Sequence, residues 1–242
     1  MKLTNSKILI TGGASGIGLG LAQKFIAEGN TVIICGRREA LLNEVAAQNP
    51  GILKKVTDLS TEDGRTDLYS WIADNHADLD TLINNAGIQN WMNLETPNFL
   101  DLARKEIITN IEAPLHLTAL FSKLPSLNAI VNVTSGLAFV PATKMPVYSA
   151  TKAFFHSFTQ SSRYLLSAKN IEVIELIPPA LNTDLGAPGL HDFAPPVSGF
   201  VESVFQQLTE GKTEIAYDKS VAMMTSDPDG LKAIFNMLNP AE

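Results

Sequence analysis

The chain has 242 residues, of which 45% are hydrophobic and 18% are charged, so it can bury a large apolar core. Its net charge of −7 and its scattered lysines and arginines argue against a nucleic-acid surface or an anionic membrane as a partner. No linker and no block of charge divides the sequence, and we therefore expect a single domain over residues 1–242.

The N-terminal segment and the cysteine content both indicate a cytoplasmic protein. No apolar stretch long enough for a signal peptide or a membrane helix precedes Gly12. The single cysteine, Cys35, cannot form a disulfide within the chain and lies in an apolar run, where core packing is its expected role. We predict no metal site, because no spacing gathers ligands among the four histidines His76, His116, His156 and His191.

Short apolar runs alternate with longer helical patterns along most of the chain. The runs predict six buried strands, at residues 7–10, 31–35, 53–57, 81–83, 129–133 and 171–177. Spaced apolar residues between them predict helices at residues 17–26, 40–48, 61–75, 99–122 and 147–168. This alternation predicts an α/β protein with a three-layer, doubly wound Rossmann fold and a mostly parallel central sheet.

The last quarter of the chain departs from this alternation. Repeated Gly and Pro residues predict a mobile loop at about residues 183–200, which is the candidate substrate loop. After it we expect a helix at 201–208, a short strand at 213–217 and a helix at 231–238, none with evident chemistry.

A glycine-rich turn directly follows the first predicted strand, in the run Thr11-Gly-Gly-Ala-Ser-Gly-Ile-Gly18. It opens a helix, whose N-terminal amides and dipole attract a pyrophosphate. Side chains at three positions would obstruct the turn, the phosphate or the helix packing, and these positions are Gly12, Gly16 and Gly18. The spacing differs from the usual dinucleotide fingerprint, and a purely structural turn is the alternative. We expect further cofactor contacts in the same run, from Ser15 and Ile17.

The end of the second strand indicates which dinucleotide binds. An NAD-binding protein usually places an acidic residue there, whereas this chain has Gly36. The next residues, Arg37 and Arg38, can neutralise a ribose 2′-phosphate with their guanidinium groups, which favours NADP(H). The alternative is that these arginines are solvated surface residues.

Polar residues also follow the third and fourth strands. Asp58 is a candidate to accept a hydrogen bond from the adenine amino group, with Leu59 beside it, and the alternative for Asp58 is a helix-capping turn. The fourth strand ends at the sheet edge that faces the ligand crevice, and the candidate contacts there are Asn85, Ala86 and Gly87. The alternative for the asparagines, including Asn84, is a tie between neighbouring strands.

Tyr148 and Lys152 are four residues apart, a spacing that places an ammonium beside a phenol on one face of a helix. A Tyr has a pKa near 10, and a nearby positive charge lowers that pKa towards the range of a general acid or base. The pair alone is weak evidence, because a half-buried Tyr with a solvated Lys has the same spacing.

Together, the glycine-rich turn, residues 84–87, Ser135 and the pair of Tyr148 and Lys152 resemble the classical short-chain dehydrogenase/reductase family. The motifs occur in order from residue 11 to Thr183, roughly three quarters of the chain. The resemblance implies that Tyr148 exchanges a proton with the reacting oxygen while hydride passes to or from a nicotinamide. It further implies that Lys152 lowers the Tyr148 pKa and binds the nicotinamide ribose, and that Ser135 holds the substrate oxygen.

Two more assignments follow from the resemblance. Asn110 matches the fourth catalytic position of the family. The resemblance implies that it perturbs its helix and holds a water molecule that connects Lys152 to solvent. The alternative is that Asn110 is an ordinary polar residue on the helix surface. Ser135, rather than the adjacent Thr134, has the family interval of thirteen residues before Tyr148.

One departure from the family lies after the sixth strand. The family usually has Pro-Gly there, whereas this chain has Pro178 followed by Pro179. Pro178 and Thr183 are still expected to contact the nicotinamide part of the cofactor. The Pro-Pro variant is similar to the DltE-like subgroup, which is associated with lipoteichoic-acid D-alanylation, although that association defines no substrate.

The predicted function is therefore an NADP(H)-dependent oxidoreductase that interconverts a carbonyl and a secondary alcohol, with reduction as the expected direction. The alternatives are a non-catalytic NADP-binding sensor of the same fold and, less consistent with the short tail, an epimerase or dehydratase. The candidate pocket comprises six residues, Gln89, Trp91, Leu137, Phe139, Val140 and Met145. Because these residues are mostly apolar, we expect a neutral or partly apolar small-molecule substrate. A sugar derivative is the alternative. By resemblance, we expect a homodimer or homotetramer that pairs through the helices of Asn110 and Tyr148.

Overall fold

A seven-stranded sheet forms the centre of the protein in the computed structural model, which describes residues 1–240. The strands are β1 (Lys7–Thr11), β2 (Thr31–Gly36), β3 (Ile52–Val56), β4 (Thr81–Asn84), β5 (Ala129–Val133), β6 (Glu172–Ile177) and β7 (Glu214–Ala216). Their order is β3-β2-β1-β4-β5-β6-β7, and every neighbouring pair is parallel. The predicted doubly wound fold is confirmed, with a sheet that is entirely rather than mostly parallel.

Helices cover both faces of the sheet. They are α1 (Gly16–Ala27), α2 (Glu39–Gln48), α3 (Glu62–Asn75), α4 (Phe99–Ile107), α5 (Ala113–Phe121), α6 (Pro146–Ser167), α7 (Val197–Thr209), α8 (Lys219–Thr225) and α9 (Pro228–Leu238). None of the helices within residues 1–240 is both long and apolar enough to cross a membrane.

The strands are apolar on both faces because each face meets a layer of helices. In β1, Ile8 and Ile10 belong to the core beneath α1 and α7, whereas Leu9 belongs to the core beneath α3 and α5. The same alternation in β2 sends Ile34 to the first core and Ile33 to the second. The continuous apolar runs of the sequence are thus explained by burial on two sides.

Three features of the chain differ from the prediction. The helix expected over residues 99–122 is divided by a π-helical turn at Ile108–Glu112, which separates α4 from α5. The short helix α8 was not predicted, because its seven residues carry too weak a periodic pattern to stand out. Between β6 and α7 the chain is irregular, and α7 begins at Val197, inside the loop expected to extend to about residue 200.

Candidate active site

The candidate residues converge on one edge of the sheet, at the carboxyl ends of β1, β4, β5 and β6. Strand order reverses between β1 and β4, and a crevice at such a reversal is the usual ligand site of an open parallel sheet. The connections that follow these four strands carry the glycine-rich turn, residues 85–87, Ser135 and Thr183.

The glycine-rich turn has the shape of a phosphate cradle. Gly12 and Gly16 have φ angles of +65° and +53°, in the left-handed region that favours glycine. A Cβ on Gly18 would lie 2.5 Å from the carbonyl oxygen of Gly12, so a side chain there would displace the turn. Helix α1 begins at Gly16, with Ile17 in its first turn, and its N-terminus adjoins this close-packed backbone. The chain therefore has the shape and the N–H donors that a dinucleotide pyrophosphate requires.

Thr11 and Asn85 hold this turn against the end of β4; a strand tie was the alternative for Asn85, whereas the role of Thr11 was not predicted. The Thr11 hydroxyl oxygen accepts hydrogen bonds from the backbone N–H groups of Asn85 and Ala86, both at 3.0 Å. The side-chain amide of Asn85 donates back to the Thr11 carbonyl oxygen at 2.9 Å. In the sequence, the only sign of this contact is that Thr11, a residue with a hydroxyl group, directly precedes Gly12.

Arg38 reaches the start of α1. Its Nη2 donates to the Ser15 hydroxyl oxygen at 3.1 Å, so the guanidinium lies beside the glycine-rich turn. Arg37 lies close enough to Asp58 for its charge to help lower the pKa of that carboxyl, after the larger effect of the backbone N–H of Ser60. Two positive charges thus lie between the turn and the end of β3.

Asp58 and its neighbours form a helix-capping turn. An Asp58 carboxylate oxygen accepts hydrogen bonds from the backbone N–H and the hydroxyl of Ser60, at 3.0 and 2.8 Å. Asp58 remains exposed, whereas the side chain of Leu59 is buried in the core under α3. The side-chain cap of α3 comes from Thr61 rather than from Asp58, and a contact of Asp58 to adenine stays a prediction.

Asn84 ties neighbouring strands together, as its alternative interpretation stated. Its side-chain amide donates to Asn132 Oδ1 at 3.0 Å and to the hydroxyl of Thr118 at 3.3 Å. Asn132 in turn donates to the hydroxyl of Thr159 on α6 at 2.9 Å. This buried polar chain joins β4, β5 and α6 beneath the site.

Ser135 and Thr134, at the end of β5, have different partners. The Ser135 hydroxyl oxygen accepts a hydrogen bond from the Leu137 N–H at 3.1 Å, which caps a 3₁₀ turn at Gly136–Ala138. Its proton is therefore directed away from that bond and can be donated to another oxygen. The Thr134 hydroxyl instead donates to the buried carboxylate of Glu175 at 2.6 Å. The geometry agrees with the choice of Ser135 over Thr134.

Tyr148 and Lys152 are both buried on the first turns of α6. The Lys152 ammonium lies 5.6 Å from the centre of the Tyr148 ring and donates to the Val133 carbonyl oxygen at 2.8 Å. Burial lowers the pKa of Lys152 to about 8, against the opposing charge of Glu175. Burial, with the charge of Glu106, raises the pKa of the Tyr148 phenol.

The expected lowering of the Tyr148 pKa by Lys152 is therefore wrong in this arrangement. The phenol loses its solvation, and the charge of Glu106 acts in the same direction as burial. Lys152 donates to a backbone carbonyl, and its own charge is disfavoured by burial. At neutral pH Tyr148 is consequently a neutral phenol, which is the protonated form that a proton donor must have.

Asn110 lies in the π-helical turn and is only 2% exposed, so the surface alternative is wrong. Its side-chain oxygen accepts from the Ile88 N–H, and its amide donates to the Ile88 carbonyl and to the Thr151 hydroxyl. A Cβ on Gly87 would lie 3.4 Å from Asn110 Oδ1 and 3.8 Å from Lys152 Nζ, so Gly87 adjoins both side chains. Asn110 thus perturbs its helix as expected, and its side chain holds the segment after β4.

The segment after β6 contacts two parts of the site, the turn that follows Ser135 and the glycine-rich turn. The Pro178 carbonyl oxygen accepts from the Gly136 N–H at 3.0 Å, beside Ser135. Thr183 lies against the glycine-rich turn, where a Cβ on Gly16 would be 3.1 Å from Thr183 Cγ2. Pro179 is half-buried and leaves this path intact.

Two polar side chains near the candidate substrate pocket, on Gln89 and Glu106, are buried. Gln89 is buried and pairs with His191 of the loop after β6, at 3.1 Å, while its amide contacts the sulfur of Met145. Glu106 is fully buried, accepts from the Asn90 N–H at 2.6 Å, and has a pKa raised by burial. This carboxylate is not predictable from the sequence, because its position on α4 shows no sign of burial in a charged helix segment.

The remaining pocket candidates are apolar but differ in exposure. Val140 is fully buried and serves the core, whereas Trp91 is 48% exposed at the rim. Phe139 packs on the ring of His156, at 4.6 Å between centroids. The unpredicted helix α8 packs against the turn that begins at Gly136. A Cβ on Gly136 would contact Ser220 and Met223, which both lie on α8.

Comparison with known proteins agrees with this geometry. A model of the short chain dehydrogenase family matches residues 6–192. The protein named "Uncharacterized oxidoreductase DltE" from Bacillus subtilis (strain 168) is 40% identical over 100% of both chains. A serine 3-dehydrogenase from Agrobacterium fabrum is 34% identical over 73% of this chain and 72% of its own. A crystal structure of a short chain dehydrogenase from Burkholderia cenocepacia in complex with NADP has a TM-score of 0.85 and 26% identity, covering 97% of this chain and 99% of that one.

The parallel Rossmann sheet and the family match together define an oxidoreductase. The chain belongs to the short-chain dehydrogenase/reductase family, as the resemblance predicted. The full-length similarity to DltE also agrees with the subgroup indicated by Pro178 and Pro179.

Proposed function

We propose that this protein is an NADP(H)-dependent reductase that converts a carbonyl compound to a secondary alcohol, with Tyr148 as proton donor. The observation that carries the proposal is the convergence of Ser135, Tyr148 and Lys152 beside the glycine-rich turn. A bound nicotinamide supplies the hydride in this chemistry.

The chain's own residues perform the proton transfer. Ser135 donates a hydrogen bond to the carbonyl oxygen, since its hydroxyl oxygen accepts from the Leu137 N–H and its proton is left to donate. Tyr148, kept neutral by its raised pKa, gives its proton to the same oxygen. Lys152, with a pKa of about 8, carries its charge at neutral pH and stabilises the phenolate that remains. Lys152 would also bind the nicotinamide ribose, and Asn110 holds the adjoining backbone in place.

Tyr148→Phe tests the proton donor. A panel of aldehydes and ketones is assayed with NADPH and NADH, and the variant should lose at least about 100-fold in kcat, because general acid catalysis contributes that much or more. Tyr164→Phe is the matched control, since Tyr164 lies on the same helix and is 82% exposed. Full activity in Tyr148→Phe would overturn the assignment. Tight NADPH binding without turnover of any compound would favour the non-catalytic sensor.

We further propose that Arg37 and Arg38 select NADP(H) over NAD(H). Arg38 is anchored on Ser15, and Arg37 lies beside Asp58, so both guanidinium groups border the expected ribose site. The cradle residues Gly12, Gly16, Gly18, Ile17, Asn85, Ala86 and Gly87, with Leu59, Pro178 and Thr183, are the remaining proposed contacts to the cofactor.

Arg37→Asp tests this preference. The Kd for NADPH should rise far more than the Kd for NADH, because only NADPH has the 2′-phosphate. Arg104→Asp is the control, since Arg104 is an exposed arginine of α4 that pairs with Asp101. Equal loss of both cofactors in Arg37→Asp would overturn the assignment.

The outer faces of α5 and α6 support a homodimer or homotetramer. An apolar groove between them is lined by Leu115, Ala119, Phe158 and Leu165, with Leu165 69% exposed. Leu165→Glu should shift the mass in light scattering towards the monomer, whereas Leu94→Glu, on a distant exposed loop, should not. A single domain and a cytoplasmic location stay predictions.

A further inference from the structure

A carboxylate that the proposed reaction does not use lies directly behind the catalytic residues. Glu175 is in the middle of β6 and is 0% exposed. Its Oε1 accepts from the Thr134 hydroxyl at 2.6 Å, and its two oxygens lie 2.9 and 3.0 Å from His156 Nδ1. A buried carboxylate is costly without such partners, so the position is built for a charged pair rather than for packing.

Both partners of Glu175 adjoin the catalytic residues. Thr134 directly precedes Ser135, and the carbonyl before it, on Val133, is the acceptor for the Lys152 ammonium. His156 lies one helical turn after Lys152 on α6, on the same helix face. Glu175 therefore joins β6 to the end of β5 and to α6 at the two points that orient Ser135 and Lys152.

The charges around Lys152 come from three elements. On α6, Tyr148 precedes Lys152 by one turn and His156 follows it; on β6, Glu175 raises the pKa of Lys152 against the effect of burial. On α4, Glu106 acts on Tyr148.

His156 has its own set of charged neighbours. The hydrogen bond to Glu175 raises the pKa of His156, with a further contribution from the charge of Glu214 on β7 and opposition from Arg163 on α6. A protonated His156 offsets the Glu175 charge, and a neutral His156 leaves that charge to act on Lys152.

We propose that Glu175 and His156 are positioning residues, a buried charged pair that orients Ser135 and Lys152 and controls the charge that Lys152 carries. This positioning role rests on the proposed reductase function, because Lys152 is the neighbour of the proposed proton donor, Tyr148. Glu175 keeps positive charge on Lys152, and His156 limits how strongly Glu175 does so.

The titration of Lys152 tests the proposal directly. The 13Cε resonance of Lys152 is assigned by its loss in Lys152→Met and then titrated by NMR in the cofactor-free protein. Glu175→Gln should lower the Lys152 pKa by about one unit, because an opposite charge is lost. In the proposed charged pair His156 is protonated, so His156→Gln should raise the Lys152 pKa, because the carboxylate is no longer offset. Shifts in opposite directions cannot come from general loosening of the site, which would move both variants alike.

Controls separate this result from folding and from activity. Glu172→Gln removes the same charge from the same strand, at a position that contacts the N-terminus, and should leave the Lys152 titration unchanged. If Glu175→Gln does not fold, His156→Gln decides alone: an upward shift supports the pair, and no shift or a downward one overturns it. The Lys152 titration needs no substrate, so its result stays valid even if the activity assay finds no carbonyl compound that is reduced. Unchanged Lys152 titration in an active enzyme would overturn the pair and leave the reductase proposal intact.

Discussion

The side chain of Asn110 holds the backbone of Ile88 at both of its polar groups. It accepts from the Ile88 N–H and donates to the Ile88 carbonyl oxygen, each at 2.9 Å, although the two residues are 22 positions apart. A π-helical turn is rare and is often found at functional sites, and here it carries the residue that fixes the chain beside Gly87.

Asn110→Ala should therefore destabilise the fold by about 2–3 kcal/mol, because buried polar groups of Ile88 and Thr151 lose their partner. Urea unfolding measures the change. Asn98→Ala, at the exposed N-cap of α4 where the side chain makes no capping bond, should stay within about 0.5 kcal/mol. A loss for Asn110→Ala no greater than for Asn98→Ala would show that this contact contributes nothing to stability.

Thr11→Val should destabilise the protein by about 1–3 kcal/mol although the two side chains have the same shape. The variant leaves the N–H groups of Asn85 and Ala86 without the oxygen that they share. It should also weaken NADPH binding, measured by calorimetry, because the glycine-rich turn is no longer held against β4. Thr31→Val, exposed at the start of β2, is the control that should change neither quantity.

Gly18→Ala should lower the midpoint of thermal unfolding, since its Cβ would lie 2.5 Å from both Gly12 O and Asn85 Nδ2. Overpacking of this kind costs about 1–3 kcal/mol. Gly36→Ala is the comparison, because a Cβ there meets no atom of residues 1–240 within 4 Å and should leave the midpoint unchanged. Equal midpoints for the two variants would contradict the close packing of the turn.

Lys152 should make stability depend on pH in a defined window. Its pKa is about 8 in the folded protein, against 10.5 for an unperturbed lysine, so between these limits the unfolded chain binds more protons. Stability then rises with pH, and the wild type should gain about 2 kcal/mol relative to Lys152→Met between pH 7 and pH 9.5. Denaturant unfolding at the two pH values gives the difference. The series stops below pH 10, because the raised pKa of Tyr148 acts in the opposite direction above it. A difference that stays flat or falls would contradict a depressed Lys152 pKa.

Much of the fold was predictable because it depends on patterns that are local in the chain. Apolar runs of strand length and the glycine-rich turn predicted the parallel sheet and the crevice at its carboxyl edge. The π-helical turn was expected only through the family resemblance of Asn110, since residues 108–112 continue an ordinary helical pattern. The pKa direction of Tyr148 was wrong because it depends on burial and on Glu106, which the spacing of Tyr148 and Lys152 does not report.

The sequence by itself determined the order of strands and helices, the phosphate cradle and the Ser–Tyr–Lys set, because each is defined by residue type and short-range spacing. Only the tertiary structure decided what lies behind that set. Glu175 meets Thr134 and His156 across 41 and 19 positions, and Glu106 is buried beside Tyr148 by the packing of α4 against α6. Charge and hydrogen bonding in a buried site act through distances in space, and packing sets those distances between segments far apart in the chain.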